Sequence, residues 1–118
     1  IEVVPQAIRD AKENARMNDI RNVSFFCADI ISYLSRQEIL ADVVIADPPR
    51  AGLGKQACHA IGKSKCMKLV YISCNPMTQA EDYAILKTYG FEIQRIIPVD
   101  LFCFTEHVET VILMSKVS

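Results

Sequence analysis

The stretch VYISCNPMTQ, from Val70 to Gln79, contains the change from a strand pattern to a helix pattern on which the fold class depends. Its first half is apolar and rich in β-branched and aromatic residues, which is typical of a strand buried on both faces. Asn75 and Pro76 are residue types preferred at a helix cap and first helical position, so we predict a helix that starts here and ends at Gly90. Cys74 lies between the two elements, either as a buried thiol of the core or as a nucleophile at the mouth of a site.

Short apolar runs and helix signals alternate along the whole chain. A further helix is predicted from Pro5, and weaker helices are predicted over 31–40 and 55–61. Strands that alternate with helices favour parallel pairing and a doubly wound α/β architecture. The predicted strands are IEVV, VSFFCA, ADVVIAD, KLVYIS, FEIQRIIPV and ETVILMS, which start at Ile1, Val23, Ala41, Lys68, Phe91 and Glu109.

Composition indicates one small domain. The chain has 118 residues, of which 51% are hydrophobic, so a single domain is predicted over 1–118. The formal net charge is −1 and no basic block is present, so these residues alone are not expected to grip a phosphate backbone strongly. No apolar run approaches the roughly 20 residues that a membrane helix needs, and no leader pattern is found. A cytoplasmic protein without a membrane partner is predicted.

The five cysteines are an odd number, with no Cys-x-x-Cys pair and no His at the spacing of zinc ligands. Neither a disulfide framework nor a structural metal is predicted, and the thiols are expected to be reduced. Apart from Cys74, the cysteines are expected to be small buried residues of the core. These four are Cys27, Cys58, Cys66 and Cys103.

Polar residues at the ends of the predicted strands are candidates for a binding site, because ligands of such sheets bind outside the carboxyl ends of the strands. Glu2 lies in the first predicted strand, and Asp29, Asp47 and Asp100 each follow a later one. Carboxylates at these positions suit the hydroxyls and amines of a nucleoside. The alternative is that a strand-end Asp caps the next helix or turn, and for Asp29 both interpretations stay open.

The segment DPPRAGL, Asp47–Leu53, is hard to explain as an ordinary turn. Its successive prolines remove two backbone donors and force an extended exit from the strand, so the Asp47 carboxylate faces whatever lies above the sheet. A rigid loop in this place suits a planar substrate. The alternative is a stiff connector with Arg50 in solvent.

Three segments, DPPRAGL, YISCNPMTQAEDYAIL and FCFTEHVETVILM, resemble in this order the carboxyl-terminal part of the RNA uracil-5-methyltransferases. The similarity covers nearly the whole chain. That family methylates C5 of uridines in transfer and ribosomal RNA and uses S-adenosylmethionine. The segment IEVVPQAIRDAKENARMN also resembles the family's second cofactor motif.

This resemblance implies a role for each candidate residue. Glu2 binds the ribose hydroxyls of the cofactor, Asp29 lies near its adenine, and Asp47 belongs to the loop shared by cofactor and substrate. Cys74 in SCNP is the nucleophile, because C5 of uracil becomes reactive only after a thiolate adds to C6. Glu109 in HVE is the base that removes the C5 proton before the thiol leaves. The alternative for Glu109 is an exposed carboxylate at the sheet edge.

The chain also departs from that family. The resemblance implies a Rossmann-like class I methyltransferase sheet, mostly parallel with an antiparallel C-terminal strand, but without the family's first strand and glycine-rich loop. The upstream RNA-binding regions, and the iron-sulfur cysteines that some members carry there, are missing too. We therefore expect a C-terminal part of a catalytic domain that is inactive alone and self-associates through its unpaired strand edges.

The interpretation is thus the catalytic end of an RNA uracil-5-methyltransferase, with rRNA or tRNA as the partner of the full-length enzyme. One alternative is an α/β module without catalytic activity. Another is a cytosine-5 or amino-group methyltransferase, which Arg50 after the prolines and Asn75 after the cysteine disfavour.

Overall fold

The structure is a computed structural model that describes residues 1–117. These residues form two compact units, Ile1–Gln37 and the described chain from Glu38 onward. The single domain expected over 1–118 stays a prediction. Every described helix falls short of the length and apolar character that a bilayer span demands.

The first unit contains two helices, α1 over Pro5–Met17 and α2 over Ile30–Leu34. α1 begins at the predicted proline, whose fixed φ suits the first helical position, and it buries Ile8. α2 is shorter than the predicted range 31–40. Residues 35–38 are polar, so they would give a longer helix nothing to bury.

The two strands predicted for the first unit are wrong. IEVV and VSFFCA form a single parallel bridge between Glu2 and Cys27. The amide of Glu2 donates to the Phe26 carbonyl at 3.0 Å, and the amide of Ala28 donates to the Glu2 carbonyl at 3.1 Å. Two short segments with no third strand beside them in this unit gain too few hydrogen bonds to extend into strands.

The second unit is a four-stranded sheet with two helices, in the order β1-β2-β4-β3. β1 and β2 are parallel, while β4 is antiparallel to both β2 and β3, so three strands run in one direction and the last runs opposite. The predicted α/β sheet, mostly parallel with an antiparallel C-terminal strand, is confirmed. The elements are β1 Val43–Ala46, α3 Gly54–Lys63, β2 Lys68–Ser73, α4 Pro76–Lys87, β3 Phe91–Val99 and β4 Glu109–Lys116.

The core of this unit lies between one sheet face and the two helices. Leu69 and Tyr71 of β2 and Met114 of β4 are fully buried there with Cys58 of α3 and Leu86 of α4. Burying a large apolar side chain contributes about 1.5–3 kcal/mol, so this layer stabilises the unit.

The opposite face and the outer edge of β1 are open within this unit. Val43 and Ile45 of β1 are 47% and 70% exposed, although both belong to a continuously apolar strand. No strand of residues 1–117 pairs with the outer edge of β1. The backbone groups along that edge therefore have no ladder partner among the residues described.

Gly62 allows α3 to approach the ring of Tyr89, because a Cβ at position 62 would overlap that ring. We expect Gly62→Ala to lower the free energy of unfolding of the 118-residue chain by about 2 kcal/mol. Overpacking costs about 1–3 kcal/mol, which exceeds the gain of about 1 kcal/mol from replacing a helical glycine. Urea denaturation measures the difference. Lys63→Ala at the exposed neighbouring position is the control and should change stability by less than about 0.5 kcal/mol. Equal stability of the two variants would contradict the close contact between Gly62 and the Tyr89 ring.

Candidate active site

Cys74 lies in a tight turn between β2 and α4. The Ser73 hydroxyl donates to the Asn75 carbonyl and accepts from the Asn75 amide, both at 3.0 Å, so one side chain closes the backbone around Cys74. Ser73 is buried while Cys74 is half-buried. The turn therefore holds the thiol at the carboxyl end of β2 without enclosing it in the core.

Asn75 performs two tasks at the start of α4. Its Oδ1 accepts from the Met77 amide at 3.1 Å, which confirms the predicted cap. Its Nδ2 donates to the Arg50 carbonyl at 3.2 Å. The hydroxyl of Thr78, in the first turn of α4, lies 3.1 Å from the same carbonyl. The turn at Cys74 and the loop 47–53 are thereby joined.

The register of β2 and β4 brings Cys74 and Glu109 to the same end of the sheet. The last pair of this ladder is Ser73 with Thr110. Cys74 is one residue beyond that pair on one strand, and Glu109 is one residue before it on the other. Opposed residues of an antiparallel ladder have Cα atoms about 4.5–5.5 Å apart, so the two backbones are neighbours here. Glu109 is half-buried and pairs on its other side with Val99 of β3.

Gln79 of α4 supports this end of the sheet through hydrogen bonds to two strands. Its buried Nε2 donates to the carbonyls of Tyr71 and Thr110, at 3.1 Å each, and so ties α4 to both strands. Sequence reasoning did not find Gln79. The available signal was its helical spacing from Asp82 and Leu86, which places two polar residues on the apolar face of α4.

Asp82 is a buried carboxylate of α4 that lies against the end of loop 47–53. Sequence reasoning did not find this residue either. Its Oδ2 accepts from the Tyr71 hydroxyl at 2.6 Å and from the Leu53 amide at 2.7 Å, and its Oδ1 accepts from the Gly54 amide at 3.2 Å. Burial and then the hydrogen bond to Asp82 raise the pKa of Tyr71 well above its ordinary value. Burial, with the negative charge of Asp82 adding to it, raises the pKa of Cys58 to about 12.

The other proposed cofactor residues lie apart along the chain. Glu2 is exposed, and its Oε1 accepts from the Val4 amide at 2.8 Å. Asp29 caps α2 by accepting from the Ser32 amide at 2.9 Å, as the helix-capping alternative predicts. Asp47 directly follows β1, is exposed, and makes no side-chain hydrogen bond within residues 1–117. Because β1 and β2 are parallel, Asp47 and Cys74 both lie at the carboxyl ends of these strands, at the same end of the sheet.

The expectation that four cysteines are buried is correct for two of them and wrong for two. Cys58 and Cys66 are fully buried, but Cys27 and Cys103 are exposed. Cys27 belongs to the single bridge rather than to a strand of a covered sheet, and Cys103 lies in the loop between β3 and β4. All five thiols are free, and residues 1–117 contain no cluster of three or more His, Cys, Asp or Glu that could hold a metal ion.

This difference in exposure predicts the order in which the thiols react. In native protein treated with iodoacetamide at pH 8, Cys27 and Cys103 should be alkylated first, while Cys58 and Cys66 react only after unfolding. Cys58 should stay unreactive when the pH is raised from 8 to 10, because a pKa of about 12 keeps it protonated across that range. Peptide mass spectrometry reads out each site. Alkylation of native Cys58 at the rate of Cys103 would contradict the buried position of Cys58.

Comparison with known proteins shows which family this chain resembles. The family model described as tRNA (Uracil-5-)-methyltransferase matches residues 1–117. An uncharacterized RNA methyltransferase of Clostridium tetani is 44% identical over 118 residues, which cover 98% of this chain and 26% of that protein. A second one, from Bacteroides thetaiotaomicron, is 42% identical over 118 residues, covering 97% of this chain and 26% of that protein.

Solved structures agree with the sequence matches. The crystal structure of Pyrococcus abyssi tRNA (uracil-54, C5)-methyltransferase in complex with S-adenosyl-L-homocysteine has a TM-score of 0.76 and 31% identity to this chain. It covers 95% of this chain, and 27% of its own length is matched. Precorrin-6y C5,15-methyltransferase from Geobacter metallireducens has a TM-score of 0.66 at 16% identity, over 96% of this chain and 63% of its own, and shows the fold alone. The chain spans about a quarter of the length of the curated relatives it matches. On the strength of a family model that extends over all the described residues, the chain belongs to the tRNA (uracil-5-)-methyltransferase family.

Proposed function

We propose that the complete gene product transfers a methyl group from S-adenosylmethionine to C5 of a uridine in RNA, either rRNA or tRNA, through a covalent bond between Cys74 and C6 of the base. One observation carries the proposal: the β2–β4 register brings Cys74 and Glu109 to the same end of the sheet. The P. abyssi enzyme, whose name states C5 of uracil as its target, supports the choice of position. The cytoplasm is the proposed location.

The proposed roles of Cys74 and Glu109 account for the bonds that form and break on the uracil ring. The Cys74 thiolate adds to C6, and the electron pair of the C5–C6 double bond moves into the ring, which makes C5 nucleophilic. C5 then takes the methyl group from the sulfonium of S-adenosylmethionine, which leaves S-adenosylhomocysteine, and C5 now carries both a methyl group and a proton. Glu109 removes that proton, the C5–C6 double bond re-forms, and the C6–S bond breaks to release the Cys74 thiolate. Each group acts on a different bond of the same ring.

The proposed cofactor residues suit the donors of S-adenosylmethionine, which supplies the methyl group when bound. Asp47 is exposed and makes no side-chain hydrogen bond within the described residues, so both its oxygens can accept from hydroxyl or amino groups. Glu2 uses one oxygen for the Val4 amide, and its other oxygen has no hydrogen-bond partner among the described residues, so it can accept from a ribose hydroxyl. Within the same residues, the carboxylate of Asp29 accepts a hydrogen bond through Oδ2, in capping α2.

The experiment supplies the complete gene product with S-adenosylmethionine and undermodified RNA that carries tritium at C5 of uridine. We expect one tritium released for each methyl group incorporated, because only substitution at C5 displaces that hydrogen. Methyl incorporation without tritium release would overturn the proposal in favour of an amino-group methyltransferase. Release from C5-labelled cytidine alone would favour a cytosine-5 enzyme, and no incorporation into any RNA would favour a module without catalytic activity.

The 118-residue chain alone should bind S-adenosylmethionine very weakly, transfer no methyl group and self-associate. The outer edge of β1 has no partner among residues 1–117, and Val43 and Ile45 are exposed beside it, so association with another copy satisfies both. Calorimetry measures cofactor binding and light scattering measures mass on the same sample. Micromolar affinity in a strictly monomeric sample would contradict this prediction.

A further inference from the structure

The loop over residues 47–53, here called the proline loop, is attached to α4 at two points. In its middle, the Arg50 carbonyl faces the Asn75 Nδ2 at 3.2 Å and the Thr78 hydroxyl at 3.1 Å. At its end, the Leu53 and Gly54 amides donate to the carboxylate of Asp82. Asp47, at the start of the loop, makes no such attachment through its side chain within residues 1–117. The start of the loop is connected directly to β1, whose last residue, Ala46, pairs with Tyr71 of β2.

Gly52 shows how closely the loop lies on Asp82. Its φ is +84°, a conformation that side chains rarely adopt, and a Cβ there would lie 2.6 Å from the Asp82 Oδ2 and 3.3 Å from the Tyr71 hydroxyl. The Gly52 amide donates to the Pro49 carbonyl at 2.9 Å, which closes a turn directly after the prolines. The loop backbone thus packs on the carboxylate with no side chain between them.

The buried carboxylate of Asp82 has no salt-bridge partner among residues 1–117. Asp82 is 5% exposed, and among residues 1–117 its carboxylate accepts from the amides of Leu53, the last loop residue, and Gly54, the first residue of α3, and from the Tyr71 hydroxyl. Burying a carboxylate without a cation beside it is unfavourable, so this residue type is poorly suited to a position that contributes to stability alone. Hydrogen bonds to a charged acceptor are shorter and stronger than neutral ones, and here they are directed at the backbone of one loop.

We infer that Asp82 is a positioning residue. It fixes the proline loop at the end of the sheet where Asp47 and Cys74 follow β1 and β2. Tyr71 orients the carboxylate by donating to Oδ2, and Gly52 provides the space for the contact. Asn75 and Thr78 hold the middle of the same loop, so one helix sets the position of both the loop and the turn at Cys74. The consequence for the reaction rests on the proposed function, whereas the attachment of the loop does not.

The attachment is tested without any activity by limited trypsin digestion of the complete gene product. Trypsin cuts after Arg50, whose carbonyl is one of the two attachment points. We expect Asp82→Asn to speed cleavage of the Arg50–Ala51 bond roughly tenfold, since an amide side chain cannot accept from both the Leu53 and Gly54 amides as the carboxylate does. Thr78→Val is a milder second variant, for use if Asp82→Asn fails to fold, and should speed cleavage several-fold. Unchanged cleavage in a folded variant overturns the inference.

Lys116→Met is the matched control. Its Nζ donates to the Gly62 and Ser64 carbonyls at 2.9 and 2.8 Å, at the carboxyl end of α3, so the variant loses structural hydrogen bonds away from the loop. Its melting temperature should fall while cleavage at Arg50 stays at the wild-type rate. Faster cleavage at Arg50 in the control, by the same factor as in Asp82→Asn, would mean that general destabilisation opens the loop, and this would overturn the specific role of Asp82.

The role in the reaction is tested by the steady-state constants. Asp82→Asn should raise KM for S-adenosylmethionine roughly tenfold and lower kcat, because the loop that carries Asp47 is no longer held in place. Lys116→Met should leave both constants within about twofold below its melting temperature. Faster cleavage with unchanged constants would overturn the positioning role. A wild-type enzyme without methyl transfer would refute the proposed function, while the trypsin result would still decide whether Asp82 holds the loop.

Discussion

Replacing Cys74 by alanine should reduce methyl transfer by at least about 10³-fold, to the background of the assay, while the fold stays intact. In the proposed reaction the thiol forms the bond to C6 that makes C5 nucleophilic, and the other side chains of the turn, those of Ser73 and Asn75, carry no thiol. Its contribution to packing is small, since Cys74 is half-buried and makes no side-chain hydrogen bond within residues 1–117. Incorporation of tritiated methyl groups into undermodified RNA measures the loss, and thermal melting checks the fold.

Cys103→Ala is the matched control for this experiment. Cys103 is an exposed thiol in the loop between β3 and β4, so its removal should leave both the melting temperature and the transfer rate near the wild-type values. Substantial methyl transfer by Cys74→Ala would exclude Cys74 as the nucleophile. If both variants lost activity equally, the loss would be a general effect of removing a thiol, and this would contradict the specific role assigned to Cys74.

The variant Glu109→Gln should stop the reaction after methylation and accumulate enzyme bonded to RNA. Glutamine has nearly the same shape, so pairing of β4 with Val99 is retained, but its amide cannot take the C5 proton. Cys74 therefore stays attached to C6, and a denaturing gel should show a shifted band that contains both protein and labelled RNA. We expect turnover to fall by roughly 10²–10⁴-fold, the usual contribution of a general base.

Two further variants make this outcome specific. Adding Cys74→Ala to Glu109→Gln should abolish the shifted band, because the adduct requires the thiol. Glu106→Gln changes an exposed carboxylate three residues earlier, in the loop that precedes β4, and should turn over normally without a band. Retained turnover and no band in Glu109→Gln would show that another group removes the proton, and Glu109 would then be an edge carboxylate.

Much of the fold could be predicted because its signals are local. Pro5 and the pair Asn75-Pro76 place the starts of α1 and α4, since a helix start depends on a few neighbouring φ angles and donors. The apolar runs of β1 and β2 are confirmed as strands for the same reason. The segments IEVV and VSFFCA carry the same local signal and fail, because a strand also needs a partner along its length, and that partner is not a property of the segment.

The candidate site divides in the same way. Cys74, Glu109 and Asp47 could be named from the sequence because a motif is a local pattern, and the nature of each side chain limits the chemistry it can perform. That Cys74 and Glu109 lie at the same end of the sheet could not be derived from it, since this depends on the insertion of β4 between β2 and β3 and on the register that pairs Ser73 with Thr110. A shift of one residue in that register would turn Glu109 to the other face of the sheet.

The sequence by itself determined the α/β class, the start of each long helix and the residue types available for catalysis, because these follow from short-range sterics and side-chain chemistry. Only the tertiary structure decided that Cys27 and Cys103 are exposed, and that Gln79 and Asp82 point into the core to hold the strands and the proline loop. The physical reason is that burial and hydrogen-bond partners are set by which distant segments meet. A polar residue on a helix face gains its role only from the backbone groups that the fold brings against it.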